Sequence, residues 1–539
     1  MIPTARRLAL AACVAGWFVP RPAGAQSPAR PISATGRLTA WGELYDRNGA
    51  GTAARPDQTG RITANLTLDL GGLVQIPLTA VIATDEVRFR QQINQFGLSP
   101  RYRWVQLHGG YFTPAYSTYS LYDNTLLGGG MDLSPGPFRL GVAVGRSRRA
   151  VLPDTAVPFL EPAFERRVVA GHVGVRDERR GSLEVHALES KDDPASLGPY
   201  RDSTTIAPGR SRVLAVTGEL PLAGRRVVLQ VEGAGSRTRR DVDADSGEVS
   251  GYAASARLTY NTRAWSVGTT ADWVDDGFQS FGNQQLKADR LDLGLTARAR
   301  LFGGRATFAG MGGWRRENLS QQEATTGTRA IFNVNADFQP VPAFGLGLQV
   351  SNNQNRNRDR DTDTTLVSNV TAVYAATPRF LVRTGPLMHV LVLMGMRQQS
   401  DNESGSFALV NTRATTLLAS WTTSLPAGLS LLANATRTQV EVDTLETTVL
   451  TVAPGLSVAA ARGRLLVTAQ AQFTRTETGN APPDQEVFPL ADIRFRIDRI
   501  QSVSLRSSLR RFRFGTPQGP DATFTERVVR LEYTAAFRR

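Results

Sequence analysis

Hydrophobic and polar residues alternate with a period of two along most of this chain. Residues 61–70 place Ile62, Ala64, Leu66, Leu68 and Leu70 on one face and Arg61, Thr63, Asn65, Thr67 and Asp69 on the other. Residues 290–301 repeat the pattern, with Leu291, Leu293, Leu295, Ala297, Ala299 and Leu301 set against Arg290, Asp292, Gly294, Thr296, Arg298 and Arg300. Residues 465–474 do so again, with Leu465, Val467, Ala469, Ala471 and Phe473 on one face. Side chains of a β-strand switch face at every step, so each run is a strand with one apolar side. Alternation over about ten residues is the length a tilted strand needs to cross a bilayer, and strands of soluble proteins are mostly shorter. The last run, with Val529, Leu531, Tyr533, Ala535 and Phe537 against Arg530, Glu532, Thr534 and Ala536, brings the pattern to the C-terminus.

The connections between runs come in two kinds that alternate. Short ones include 134–137 (SPGP), 221–224 (PLAG), 302–304 (FGG), 340–343 (PVPA), 425–428 (LPAG) and 461–463 (ARG), and they recur with a strand, a long loop and a second strand between them. The long ones are polar and charged, among them 47–59, 148–162, 191–210, 238–249, 275–287, 317–327, 353–363 and 398–405. Short turns on one side and long loops on the other describe a transmembrane antiparallel up-and-down β-barrel with its turns in the periplasm. If both chain ends are periplasmic the strand number is even, which requires residues 86–95 to be a strand and predicts 26 strands, with 24 the nearest other count.

No run of about 18 apolar residues exists to form a membrane-crossing helix; the longest candidate, 386–396, is shorter and contains His389. Residues 1–25 carry Arg6 and Arg7, an apolar stretch from Leu8 to Val19, and Ala23-Gly24-Ala25, the three parts of a secretory signal peptide. A competing lipoprotein reading at Leu10-Ala11-Ala12-Cys13 leaves an apolar region too short for export. Cleavage after Ala25 removes Cys13, the chain's one cysteine, so the mature protein holds no disulfide and no thiolate-bound metal. The expected organisation is a signal peptide (1–25), a short periplasmic segment (26–36) and a single barrel (37–539).

Charge sharpens the picture of the interior. The formal net charge is +14, and since Lys191 and Lys287 are the only lysines among 62 basic residues, 60 are arginines. An excess this uniform is also what a GC-rich coding sequence produces. Alternation nevertheless assigns Arg61, Arg290, Arg298, Arg300, Arg494, Arg496 and Arg530 to the inner face, partly offset by Asp69, Asp292, Asp492 and Glu532. Arginines lining a pore favour anions, so passive passage of small, anionic solutes is the sharpest transport reading. The plainer reading pairs these arginines with carboxylates on neighbouring strands. A structural or partner-dependent barrel in envelope or secretion assembly, silent on its own, is the other functional class.

The leader, the ten-residue alternating runs and the aromatic C-terminal pattern resemble a Gram-negative outer-membrane β-barrel over essentially the whole mature chain. The resemblance implies residence in the bacterial cell outer membrane, contact with outer-membrane lipids and lipopolysaccharide, and delivery by the barrel assembly machinery. In that family the last strand carries the assembly signal, here Tyr533 and Phe537, with the departure that Arg538 and Arg539 follow the phenylalanine. Residues 93–146 are also similar to a segment of large, uncharacterised outer-membrane barrels.

A barrel of this size needs something in its lumen, because barrels of about 16–18 strands already hold an aqueous channel and 22-stranded ones are plugged. A TonB-dependent receptor resembles this chain in strand number but carries a plug domain ahead of the barrel, where only residues 26–36 stand here. The filler is then expected from loops or from an envelope protein that fills the lumen. Residues 114–124, with Tyr116, Tyr119 and Tyr122, and the loop 191–210 are the candidates for a constriction; the alternative for the tyrosines is an interfacial aromatic belt. Leu387 to Met396 is apolar on both faces apart from His389, either because its inner face packs on an internal loop or because it binds a lipid or partner. No catalytic motif appears: His108, His172, His186 and His389 lie on different strands, without G-x-S-x-G or H-E-x-x-H. No cofactor is implied. The acidic loops Asp241, Asp243, Asp245 and Asp359, Asp361, Asp363 lack the glycine and the twelfth-position carboxylate of a calcium loop, and no basic run with interleaved aromatics supports nucleic-acid binding.

Overall fold

The computed structural model describes residues 32–49, 55–84, 94–153, 161–242, 244, 247–404, 410–518 and 521–537. The expected leader with Cys13, residues 26–31 and 86–93, Asp243, Asp245 and the final Arg538 and Arg539 lie outside the described residues. Its 27 strand segments form one sheet of antiparallel neighbours. Gln95–Leu98 and Arg101–Tyr102 both lie between Val74–Ala83 and Val105–Phe112, so they are two halves of one strand and the sheet has 26 strands. The break falls at Ser99-Pro100, where proline has no N–H to give to a ladder. The even count is therefore completed by residues 95–102, one segment later than the 86–95 expected from the sequence.

The sheet closes on itself. The first strand, Ile32–Gly49, pairs with the last, Asp521–Phe537, from Gly36 opposite Phe537 to Gly49 opposite Phe524. It begins at Ile32, ahead of the expected boundary at residue 37. Closure leaves no unpaired sheet edge, the condition for a β-structure to cross a membrane. At the loop end of this seam Glu526 accepts hydrogen bonds from Tyr45 Oη at 2.8 Å and Arg47 Nη1 at 3.2 Å, and Arg510 Nη1 stands 3.5 Å away. One carboxylate thus ties the first strand to the last two.

The outer face is apolar. Val169 and Val173, Leu293 and Leu295, Leu348, Leu417 and Trp421 are all exposed at alternate positions of their strands. A band of this extent is far larger than a soluble surface carries and is the lipid face of a barrel. The other positions turn asparagine, threonine, arginine and aspartate inward. Turns and loops segregate to opposite ends, as the spacing predicts, with an exception among the described connections. Leu429–Val442 and Leu445–Ala460 are joined at the loop end by Asp443-Thr444 alone, with Asp443 at φ 52°. The alternating pattern runs through this two-residue turn without glycine or proline, so the sequence gives no sign of it. Loops on the second half of the barrel are shorter than expected, as strands extend to Asp359 and Ser404.

Candidate functional site: the lumen wall and its inward loops

One side of the lumen is filled. Between residues 105 and 274 the inward positions include Phe112, Leu126, Ala143, Val168, Ala170, Leu188, Val213, Ala253 and Val274, all buried. Apolar residues facing a water-filled lumen would be unfavourable; here two loops fold inward and cover them. Residues 113–125 contribute Tyr119 and Leu121 to this cluster, and residues 275–289 contribute Phe278. The loops bind the wall: Ser117 Oγ and the Tyr119 N–H donate to Glu232 Oε1 at 2.7 and 3.0 Å, and Ser211 Oγ and Thr238 Oγ1 donate to the Gln279 carbonyl at 2.9 and 3.2 Å. They also bind each other, through Tyr122 N–H to Gly282 O at 3.2 Å, Ser280 Oγ to Ser120 O at 2.9 Å and Asn283 Nδ2 to Thr118 O at 2.8 Å.

Tyr116 and Tyr119 pack on the inner side of the wall. Tyr119 is 2% exposed and meets Phe278 edge-on with ring centroids 5.7 Å apart. Tyr116 packs against His172 at 4.6 Å, while Tyr122 remains 49% exposed. Burial pushes the phenols of Tyr116 and Tyr119 above their ordinary range, with nearby carboxylates adding to it, so both stay neutral at physiological pH. Within 191–210, Leu197 is buried and Ser196 Oγ accepts the Glu165 N–H at 2.9 Å. Beside it Asp192 takes a two-point bond from Arg166, at 2.7 and 2.9 Å, and one from Arg148 at 3.0 Å. The Arg166 guanidinium lies 3.8 Å over the ring of Phe281, which fastens the outer end of the second loop. The inward course of 275–289 is absent from the sequence reading; its available signal was Phe278 and Phe281 inside an otherwise polar loop.

Three of the four histidines, separate in sequence, meet on this wall. His108 hydrogen-bonds Ser99 Oγ through Nδ1 and Asp132 Oδ2 through Nε2, both at 2.9 Å. Asp132 Oδ1 lies 3.3 Å from His172 Nε2, and His172 Nδ1 is 3.3 Å from Glu184, which also pairs with Arg176 at 3.0 Å. His186 stacks on His172 at 5.8 Å and bonds Thr217 Oγ1 at 2.9 Å. Asp132 is shared between two rings, so the row runs continuously across the strands. It passes over the strand Phe138–Arg148 only because residue 141 is glycine: a β-carbon there would stand 2.2 Å from His172 Nε2 and 2.3 Å from Asp132 Oδ1.

Gly141→Val is therefore expected to break the row and lower the urea midpoint of unfolding, followed by the electrophoretic shift between folded and heated barrel. Each hydrogen bond to a charged group is worth about 1.5–3 kcal/mol. Gly129→Ala, whose β-carbon would meet nothing closer than 3.5 Å, is expected to leave the midpoint in place.

Arg61, Arg290, Arg298, Arg300, Arg494, Arg496 and Arg530 all occupy inward positions by register. Arg290 pairs with Asp292 at 3.4 Å, and Arg530 pairs with Glu532 at 3.0 Å while lying 4.1 Å over Trp41. The other five have no carboxylate partner among the described residues. Four of them, Arg298, Arg300, Arg494 and Arg496, stand within a few residues of turns at the short-turn end. The inward and exposed Arg257 and Arg383, near the ends of their strands, join this group. Inward carboxylates at the same end are engaged: Asp492 by Arg506 at 3.1 Å and Asp337 by Arg379 at 2.8 Å.

His389 faces lipid, stacked 6.3 Å from Trp421 and bonded to Thr423 Oγ1 at 2.8 Å. On the same strand Met388, Val390, Val392, Met394 and Met396 face inward and are only half-buried; no described loop packs on them. Tyr533 faces outward and bonds Gln501 at 3.1 Å, and Phe537 pairs with Gly36 at the seam. In the acidic loop, Asp361 and Asp363 pair with Arg360 and Arg358 at 2.7 and 3.2 Å.

No family model and no curated protein matches the chain. Among solved structures, OccK10 (OpdN) of Pseudomonas aeruginosa is similar at 12% identity and TM-score 0.36, over 64% of this chain and 99% of that one. The ferric enterobactin receptor PfeA of the same organism is similar at 10% identity and TM-score 0.43, over 94% and 81%. A BenF-like porin from Pseudomonas fluorescens is similar at 10% identity and TM-score 0.31, over 62% and 94%.

Proposed function

We propose that this chain, a closed transmembrane β-barrel of the bacterial outer membrane, is a passive diffusion channel for small anionic solutes. The observation that carries the reading is the set of inward arginines without carboxylate partners at the short-turn end, Arg298, Arg300, Arg494 and Arg496 with Arg257 and Arg383. Fixed positive charge at a pore mouth raises the local concentration of anions and opposes cations. In this reading the loops 113–125 and 275–289 set the bore by filling one side, and solutes pass along the other, lined by polar side chains such as Asn333, Asn335, Asn353 and Asn355. Turns face the periplasm in barrels of this kind, so the arginine group stands at the periplasmic mouth.

The test is a planar bilayer holding the detergent-purified protein under a potassium chloride gradient. Steady conductance is expected, with a reversal potential on the chloride side. A stably folded but silent barrel would overturn the channel reading. One observation favours a second reading: the uncovered apolar stripe Met388–Met396 on the open side suits an envelope protein occupying the lumen, and that barrel would be silent alone.

A further inference from the structure

A second arginine group faces away from the lumen. At the loop end of the strands Ala306–Glu317, Thr325–Val341 and Phe344–Asp359, a pocket of about 560 Å³ opens on the outer wall. Its lining includes Arg316, Arg356, Arg358 and Arg360, with Arg329, which register turns to the lumen face beside Asn353 and Asn355, against two carboxylates, Asp359 and Asp363. Register puts Arg316, Arg356 and Arg358 on the same face as the exposed lipid-side residues Trp314, Phe332 and Val350. Asp363 takes one arginine, Arg358, and Arg360 holds Asp361. Arg329 donates to Asn353 Oδ1 at 3.2 Å. Arg316 and Arg356 have no carboxylate partner among the described residues.

Depth narrows the ligand. Arg316 stands two residues beyond Trp314, about 7 Å along the strand at the usual rise, and tryptophan marks the headgroup level of a bilayer. The loop end is the cell-exterior end, so the pocket lies at the headgroups of the outer leaflet. Planar guanidinium groups bind phosphate by two parallel hydrogen bonds. We propose that this pocket binds the phosphorylated saccharide headgroup of an outer-leaflet glycolipid, with Arg316 and Arg356 as its principal phosphate ligands and Trp314 against the lipid below. The site faces away from the lumen and stands whether or not the barrel conducts.

The experiment is native mass spectrometry of the full-length barrel in detergent, titrated with bisphosphorylated lipid A, with the same lipid stripped of phosphate, and with inorganic phosphate as competitor. The expected result is retention of bisphosphorylated lipid A about tenfold above the stripped lipid, a margin set by charged hydrogen bonds to phosphate. The double variant Arg316→Gln, Arg356→Gln is expected to lose that preference, while Arg475→Gln, on a distant strand, keeps it. Equal retention of both lipids by the unaltered protein overturns the proposal without recourse to any variant. A double variant that folds, by its heat-dependent gel shift, and still prefers the phosphorylated lipid also overturns it. Displacement of the lipid by millimolar inorganic phosphate assigns the pocket to free anions and overturns the lipid assignment.

Discussion

Replacing Tyr119 and Leu121 with alanine is expected to raise the single-channel conductance several-fold and to admit larger solutes. Both side chains are almost wholly buried between the inward loop and the wall. Truncating a buried leucine or aromatic residue to alanine costs about 2–5 kcal/mol. The three cross-loop hydrogen bonds, each worth about 0.5–1.5 kcal/mol net, and the two bonds to the Glu232 carboxylate, at about 1.5–3 kcal/mol each, remain in the variant and supply a comparable total, so removal of both apolar anchors takes away about half of what holds the loop against its conformational entropy. The barrel keeps its ladder, because neither residue lies in a strand. Tyr122→Ala serves as the control: that ring is half exposed, and its loss is expected to leave the conductance where it was. Unchanged conductance in the double variant would mean that the loops lie outside the conducting path.

The second large effect concerns charge. Arg298→Glu, Arg300→Glu, Arg494→Glu and Arg496→Glu, made together, are expected to move the reversal potential from the chloride to the potassium side. These arginines sit at exposed inward positions, so water screens each one, and the interaction at 4 Å is only about 1 kcal/mol per pair of charges. Selectivity therefore comes from the group acting over a Debye length, about 30 Å at 0.01 M salt and about 3 Å at 1 M. The sign change is expected in dilute salt and a much weaker preference in concentrated salt. A reversal potential that ignores the four substitutions at low salt would remove these residues from the pathway.

How much of this was legible in the sequence follows from the range of the interactions. Period-two alternation is local, so the barrel class, the inward placement of Arg298 and Arg300 and the division of turns from loops could all be read from neighbours. Parity alone set the strand number, and it held although residues 95–102, interrupted by Pro100, took the place assigned to 86–95. The histidine row was partly readable. His172 and His186 each lie five residues from the Asp177–Gly181 pair that ends their hairpin, so a correctly placed turn puts them opposite each other. Asp132 reaches the same row only by crossing a strand at Gly141, and no local pattern announces that. The meeting of 113–125 with 275–289 joins loops more than 150 residues apart, and alternation carries no information about where a loop folds.

The seam between Ile32–Gly49 and Asp521–Phe537 joins the first and last strands of the sheet. Every other strand can find its partner as soon as the next hairpin forms, but the first must wait for the whole chain. The entropic cost of so long a closure grows only with the logarithm of its length. The larger hazard is time, since until the seam forms both borders of the sheet offer unpaired N–H and C=O groups to any other chain. Glu526 at one end of the seam and Phe537 at the other are then latches on the final event of assembly, and a defect at either would appear first as mispaired, aggregated protein rather than as an altered channel.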